Sequence, residues 1–399
     1  MIPKDFPDGS FGEGHPVALY ERLHGRPPVR HPELPLWVAG THAEVMEVVT
    51  DPATYRSRDG ILIPEIGHSY DAPPTIMHTD PPDHTRYRGL VAPAFRPSVL
   101  RRLEGAVRDR ITALLDAVPA DEPFDVVERL AVPLPLQVIC LLLGIPEADW
   151  ERFHAWSEAI VPGANPDLTE EERGALRIEC GTYLIGEAHA RRTAPRDDVI
   201  SQLATLELDG DKLTDMELVM FLIQLLVAGN ETTRHSLSGG LLALAERPDE
   251  WTALKSRPVE LLPAAVEEIL RWTLPVVYFL RTASRPVTLG GSEIAEGDKV
   301  MLLYGAANRD PAAFGPDAGR FDIARFDTAR KPPAPNLAFG FGPHFCLGAA
   351  LARMEIRLVL EALLERYERI EPAGGAAYNG SSVVAGLRRC PLSFRRGGE

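Results

Sequence analysis

Apolar positions recur at three- and four-residue spacing over residues 97–118, 131–143, 147–160, 170–192, 214–246, 263–273 and 346–367. That period predicts a helix over each stretch. Between Leu218 and Ala228 only Gln224 is polar, so the fifth helix is apolar nearly all round and is expected to cross the interior. Thr214, with Glu217 three residues on, predicts its capped start, and Pro248 its end. Residues 34–40, 287–291 and 299–304 alternate or carry β-branched side chains beside glycine turns, the pattern of short strands. The sum is a mainly α chain with small β-sheet regions, an α+β class.

Two places break these patterns. In the long apolar helix, Ala228, Gly229, Asn230, Glu231, Thr232 and Thr233 put a glycine, an acid and two hydroxyls where a buried helix would keep leucine. Such groups cost stability unless they have partners or a task. Gly229 also predicts a local distortion of the helix, and the bland alternative for Thr232 is a hydroxyl bonded back to its own helix. The second break is FGFGPHFCLG, residues 339–348, where Gly340 and Gly342 permit a tight turn that delivers Cys346 to the start of a helix. Backbone N–H groups at a helix start favour a thiolate. One thiolate offered this way suits a haem iron set up for O–O cleavage; the plainer alternative is a buried structural cysteine.

Composition narrows the partners. No Gly/Ser linker, like-charge run or internal repeat divides the 399 residues, so one domain over 1–399 is expected, with no glycine-rich dinucleotide fingerprint of a fused reductase. Cys140, Cys180, Cys346 and Cys390 form no CxxC pair, which points away from zinc or a disulfide framework and toward a cytoplasmic protein. A net charge of -15 disfavours nucleic acid. No apolar run near the length of a membrane span is present, so no membrane anchor is expected.

The cysteine loop resembles the haem signature of the cytochrome P-450 family, in which F, two residues, G, three residues, C, one residue, G are filled by Phe339, Gly342, Cys346 and Gly348. The resemblance spans roughly residue 80 to the carboxy terminus. It implies the P-450 fold and heme b (iron protoporphyrin IX) with the Cys346 thiolate as axial ligand. It also implies an oxygen groove at Ala228 and Gly229, proton supply from Glu231, and a hydrogen bond from Thr232 to the distal oxygen. His84, Arg88, Arg281 and His344 match the family's propionate donors, with His78 as a further contact. Glu268 and Arg271 match the family's ExxR pair, and Arg320, just before Phe321 and Asp322, the arginine that completes its network.

The resemblance further implies a monooxygenase that inserts one atom of O2 into a C–H bond, fed by a separate ferredoxin and ferredoxin reductase. Docking would need a basic patch, for which Arg101, Arg102, Arg353 and Arg357 are the candidates. By analogy residues 61–77, 222–228 and 275–280 line the substrate, with Ile63, Leu225, Val276, Val277 and Phe279 as named contacts. They carry no charge, which favours a bulky neutral lipophile, a steroid or terpenoid. Alternatives are a haem-thiolate oxidative coupling or peroxygenase enzyme, and, in another class, a non-catalytic haem sensor or carrier.

Overall fold

The structure is a computed structural model, and it describes residues 2–68, 75–161, 163–165, 167–208, 211–329 and 333–397. Residues 69–74 of the expected substrate loop, and 330–332 ahead of the cysteine loop, therefore lie outside the described residues. The chain forms two compact units, each assembled from three separate segments.

The first unit comprises Met1–Thr85, Val259–Cys346 and Gly380–Gly386. Its core is a five-stranded sheet in which Lys299–Leu303 runs parallel to Leu36–Ala39 and antiparallel to Tyr278–Ala283. Val29–Arg30 and Tyr55–Arg56 close the two edges. Every residue of Lys299–Leu303 is buried, which is why that strand reads as a continuous apolar run. Its one charge, Lys299, donates through Nζ to Thr282 Oγ1 at 2.7 Å and to the Asp59 carbonyl. The stretch expected to line the substrate, residues 275–280, overlaps the strand Tyr278–Ala283. In the fold it pairs on both sides, with Arg281 opposite Val300 and Phe279 opposite Leu302.

The helix Pro258–Thr273 also belongs largely to this unit and starts five residues before the expected 263. Pro263 lies inside it, close enough to the start that only one intrahelical bond is forfeited. Its buried face carries Leu261, Leu262, Ala265, Ile269 and the pair Glu268 and Arg271.

The second unit comprises Arg86–Pro258, Leu347–Asn379 and Leu387–Glu399. It is built around the helix Asp215–Ala245, against which Pro133–Leu143, Trp150–Ile160, Glu170–Thr193 and Ala349–Arg366 pack. The capping box forms as expected: Glu217 N–H donates to Thr214 Oγ1 at 3.3 Å and Thr214 N–H to Glu217 Oε2 at 2.8 Å. A small sheet of Arg369–Pro372, Pro391–Arg395 and Pro123–Asp125 lies in the same unit. No helix among the described residues is long and apolar enough to cross a membrane.

Candidate active site

The cysteine loop is built by backbone geometry and held from behind. Asn336 caps the short 3-10 turn Leu337–Phe339 by accepting from Ala338 N–H, and the Phe339 carbonyl accepts from Cys346 N–H at 3.0 Å. Gly342 has φ +71, and a Cβ there would come within 2.3 Å of the Val49 carbonyl oxygen. No other residue fits that position without moving the helix His42–Thr50. Cys346 is exposed, whereas Cys140, Cys180 and Cys390 are buried. Burial pushes those three thiols up to about 12, so they are inert by comparison. Gly348 is the N-cap of the helix Ala349–Arg366, and Cys346 stands three residues before its first turn.

A hydrogen-bond chain ties this loop to Glu268 and Arg271. The Glu268 carboxylate takes a two-pronged grip from Arg271, at 2.7 Å on each oxygen, and Asp322 N–H at 2.9 Å. Arg271 also donates to the carbonyls of Asn308, Ala318 and Arg320. Asn308 in turn bonds Asn336 at 3.0 Å and accepts from Leu337 N–H at 2.9 Å, so the network ends on the loop that carries Cys346. The expectation for Arg320 needs correction. Its side chain is exposed and it joins through its carbonyl. The second guanidinium is that of Arg325, buried, with Nε 3.4 Å from Glu268 Oε2. A turn closed by Arg325 N–H on the Asp322 carbonyl brings it inward.

The expected anion contacts of the first unit also gather. The rings of His84 and His344 lie against each other, tilted by 51° with centroids 4.2 Å apart, and His344 Nε2 lies 3.1 Å from Ser57 Oγ. Arg281 is 6 % exposed and donates to the Leu280 carbonyl, yet no carboxylate pairs with it among the described residues. Burial lowers its pKa, while Tyr304 and Asp80 act in the opposite direction. A buried cation without an ion-pair partner is what a bound dianion would neutralise. Arg88 lies one turn after His84 on the helix Asp83–Val91. His78 is engaged elsewhere, 3.1 Å from Glu65 Oε1.

In the second unit the helix Asp215–Ala245 runs without interruption through residues 228–233, against the expected distortion. Gly229 has a packing reason: a Cβ would stand 2.4 Å from Ile139 Cδ1, so glycine lets Pro133–Leu143 approach closely. Thr232 Oγ1 donates to the Ala228 carbonyl at 2.7 Å. The proton expected for a distal oxygen is thus held by the helix, leaving the hydroxyl oxygen open as an acceptor.

Glu231 is 1 % exposed and densely partnered. Arg234 Nη2 lies 2.8 Å from Oε2, and Ser157 Oγ and Asn230 Nδ2 each donate to Oε1 at 3.1 Å. Burial raises its pKa, while Arg234 and then Ser157 pull the other way. His235, 3.8 Å from Oε2, is kept neutral by burial and by the Arg234 charge, so it adds no ion pair. Arg234 Nη1 donates at 3.4 Å to His154, which stands 3.5 Å from Glu158. Arg234, three residues after Glu231, was readable from helical spacing; Ser157 and His154 were not.

Of the substrate-lining candidates, Val277 is 1 % exposed and belongs to the hydrophobic core. Ile63, Val276 and Phe279 are partly buried at the core margin, and Leu225 is half-buried on the long helix. Two of the four basic-patch candidates are paired with carboxylates. Arg357 pairs with Glu104 and Glu361, and Arg102 with Asp197 at 3.4 Å.

An exposed cysteine on a braced glycine loop, with two adjoining imidazoles and an unneutralised buried guanidinium in the same unit, fits a protein that holds haem through a thiolate. A cytochrome P450 family profile matches residues 120–376. The putative cytochrome P450 126 of Mycobacterium tuberculosis is 41 % identical over 383 residues, covering 90 % of this chain and 88 % of that one. A methyl-branched lipid omega-hydroxylase of Mycobacterium bovis is 38 % identical, covering 91 % and 86 %. The crystal structure of CYP109E1 from Bacillus megaterium in complex with corticosterone superposes with a TM-score of 0.83 at 34 % identity, covering 95 % and 98 %. The chain belongs to the cytochrome P450 family. It has the P450 fold, uses a cysteine-ligated haem, and is a monooxygenase of the oxidoreductase class.

Proposed function

We propose that the chain hydroxylates a bulky neutral lipophile, a steroid or terpenoid, with Cys346 as the haem ligand and electrons from a ferredoxin and its reductase in the cytoplasm. Haem bound through a thiolate supplies activation of O2 and insertion of one oxygen atom into a C–H bond. The chain's own residues hold it and handle protons. Cys346 contributes the thiolate; His84, His344, Arg281 and Arg88 offer donors and positive charge to its carboxylates.

The observation that carries the reading is the Glu231 and Thr232 pair. Glu231 is a buried carboxyl with raised pKa, gripped by Arg234, and beside it Thr232 presents a hydroxyl oxygen able to accept. For Glu231 to pass a proton along the helix, its Oε2 must leave Arg234, so Arg234 times delivery. A haem sensor or carrier would have no use for this acid and alcohol pair.

Substrate class rests on apolar chemistry at Ile63, Leu225, Val276 and Phe279, and on likeness to CYP109E1, solved with corticosterone and with testosterone. The lipid hydroxylase relative supports a branched lipid as the competing substrate. Cys346→Ala should abolish the thiolate signature of the reduced, carbon-monoxide-bound haem, and survival of that signature overturns the assignment. Titrating the ferric protein with steroids, terpenoids, fatty acids and macrolides while following the haem spin state tests the substrate. A response confined to fatty acids refutes the steroid or terpenoid reading.

A further inference from the structure

Between Leu218 and Ala228 the helix Asp215–Ala245 carries one polar side chain, Gln224, and its amide oxygen is buried without a hydrogen-bond partner among the described residues. A buried amide oxygen left without a partner opposes folding even on a half-buried side chain, and a leucine or methionine would serve a purely structural helix better. A task outside the folded chain explains it.

Position on the helix says where that task lies. Gln224, Ala228 and Thr232 follow one another at intervals of four and so share one face. Along it Ala228 is exposed and Thr232 half-buried, while Leu226 and Asn230 on other faces are buried. Gln224 stands about 6 Å from Ala228 and about 12 Å from Thr232 along the axis. The face that carries Thr232 therefore also carries an unpartnered amide oxygen, roughly two turns away.

We propose that Gln224 is a specificity-determining residue that hydrogen-bonds one neutral oxygen substituent, a hydroxyl or keto group, of an otherwise apolar substrate. An amide offers two donors and an acceptor but no charge. Ile223, Leu225 and Val227 around it are apolar, so a substrate carboxylate or ammonium would be desolvated with no counter-charge on this stretch. A lipophilic alcohol satisfies Gln224 Oε1 by donating to it, whereas a ketone can only accept from the amide N–H groups; a carboxylate or a pure hydrocarbon has no donor for Oε1. The inference rests on the monooxygenase reading above and narrows its substrate.

The test uses haem-loaded, full-length ferric protein and dissociation constants read from the haem spin state. The ligands are matched sets: androstanol, androstanone and androstane; borneol, camphor and bornane; tetradecanol and tetradecane. Wild type is compared with Gln224→Leu and the near-isosteric Gln224→Met. For at least one set, both variants should lower the preference for the oxygenated over the deoxy ligand about five- to tenfold, the worth of one neutral hydrogen bond. The alcohol and ketone arms show which group the amide takes. Unchanged preference in both variants, with binding intact, overturns the inference and leaves the monooxygenase reading standing. No spin-state response to any of these ligands overturns both the inference and the neutral-lipophile reading.

Discussion

Replacing Arg325 and Arg320 by alanine, one at a time, separates two accounts of how the cysteine loop is held. Arg325 is buried and donates to the carbonyls of Phe314, Asp317 and Arg320, each at 3.0 Å, while standing 3.4 Å from Glu268. Removing it strips three carbonyls of a donor and halves the positive charge facing Glu268. Arg271 still grips both carboxylate oxygens, so the carboxylate is not orphaned. The loss should fall near the lower end of the range for breaking a buried charge network, about 3 kcal/mol. Arg271→Ala, which removes the two-pronged grip itself, should cost about 4–5 kcal/mol. Arg320→Ala removes an exposed side chain and leaves the carbonyl in place, so its effect should stay within about 0.5 kcal/mol. Arg325→Lys should recover only part of the loss, because one ammonium cannot span the carbonyls that the planar fork reaches. Guanidinium denaturation followed by tryptophan fluorescence, alongside haem retention by absorbance, ranks the four variants. If Arg320→Ala proves as damaging as Arg325→Ala, or Arg325→Ala is silent, the network described for this loop is wrong.

Three further outcomes concern Glu355, Arg234 and Thr232. Glu355 is 1 % exposed, its Oε2 has no partner among the described residues, and burial raises its pKa to about 8. The folded state then holds a proton that the unfolded state has released from about pH 4.3 upward, so stability falls as pH rises to 8, by up to about 5 kcal/mol. Glu355→Gln should flatten that slope, and parallel wild-type and variant denaturation curves at pH 5 and pH 8.5 would refute it. Arg234→Leu leaves Glu231 without its cation and should cost about 3–5 kcal/mol while moving the alkaline limb of the product-formation pH profile upward, because the proton-bearing form of Glu231 then persists to higher pH; an unmoved limb removes Arg234 from proton timing. Thr232→Ala should preserve haem binding and reductant consumption while diverting electrons to peroxide, and unchanged product per electron would rule out its role.

Local rules made much of this legible before any coordinates. The capping box at Thr214, the glycine turn before Cys346 and the apolar stripes depend on residues within a turn or two of one another, and those elements fall within a few residues of expectation. What could not be read depends on partners far along the chain. Gly229 looks like a helix breaker until Ile139, ninety residues earlier, occupies the space its missing side chain leaves. Arg320 was the natural partner for Glu268 by motif, and the turn at Asp322 gives that place to Arg325. Residues 275–280 read as a lining stretch in sequence because the sheet pairing of Tyr278–Ala283 is set by distant strands at 55–56 and 299–303.

The same contrast bears on the chemistry. Motif spacing identified Glu231 and Thr232, but their electrostatic state comes from Ser157 and His154 on another helix and from Arg234 one turn on. A carboxyl held by a guanidinium and two donors is stable in place. That stability is a barrier to any proton it is asked to pass. On the proton role proposed for Glu231, Arg234 and Ser157 set how readily it works, and two chains with identical acid and alcohol pairs would differ in rate through residues that no motif includes.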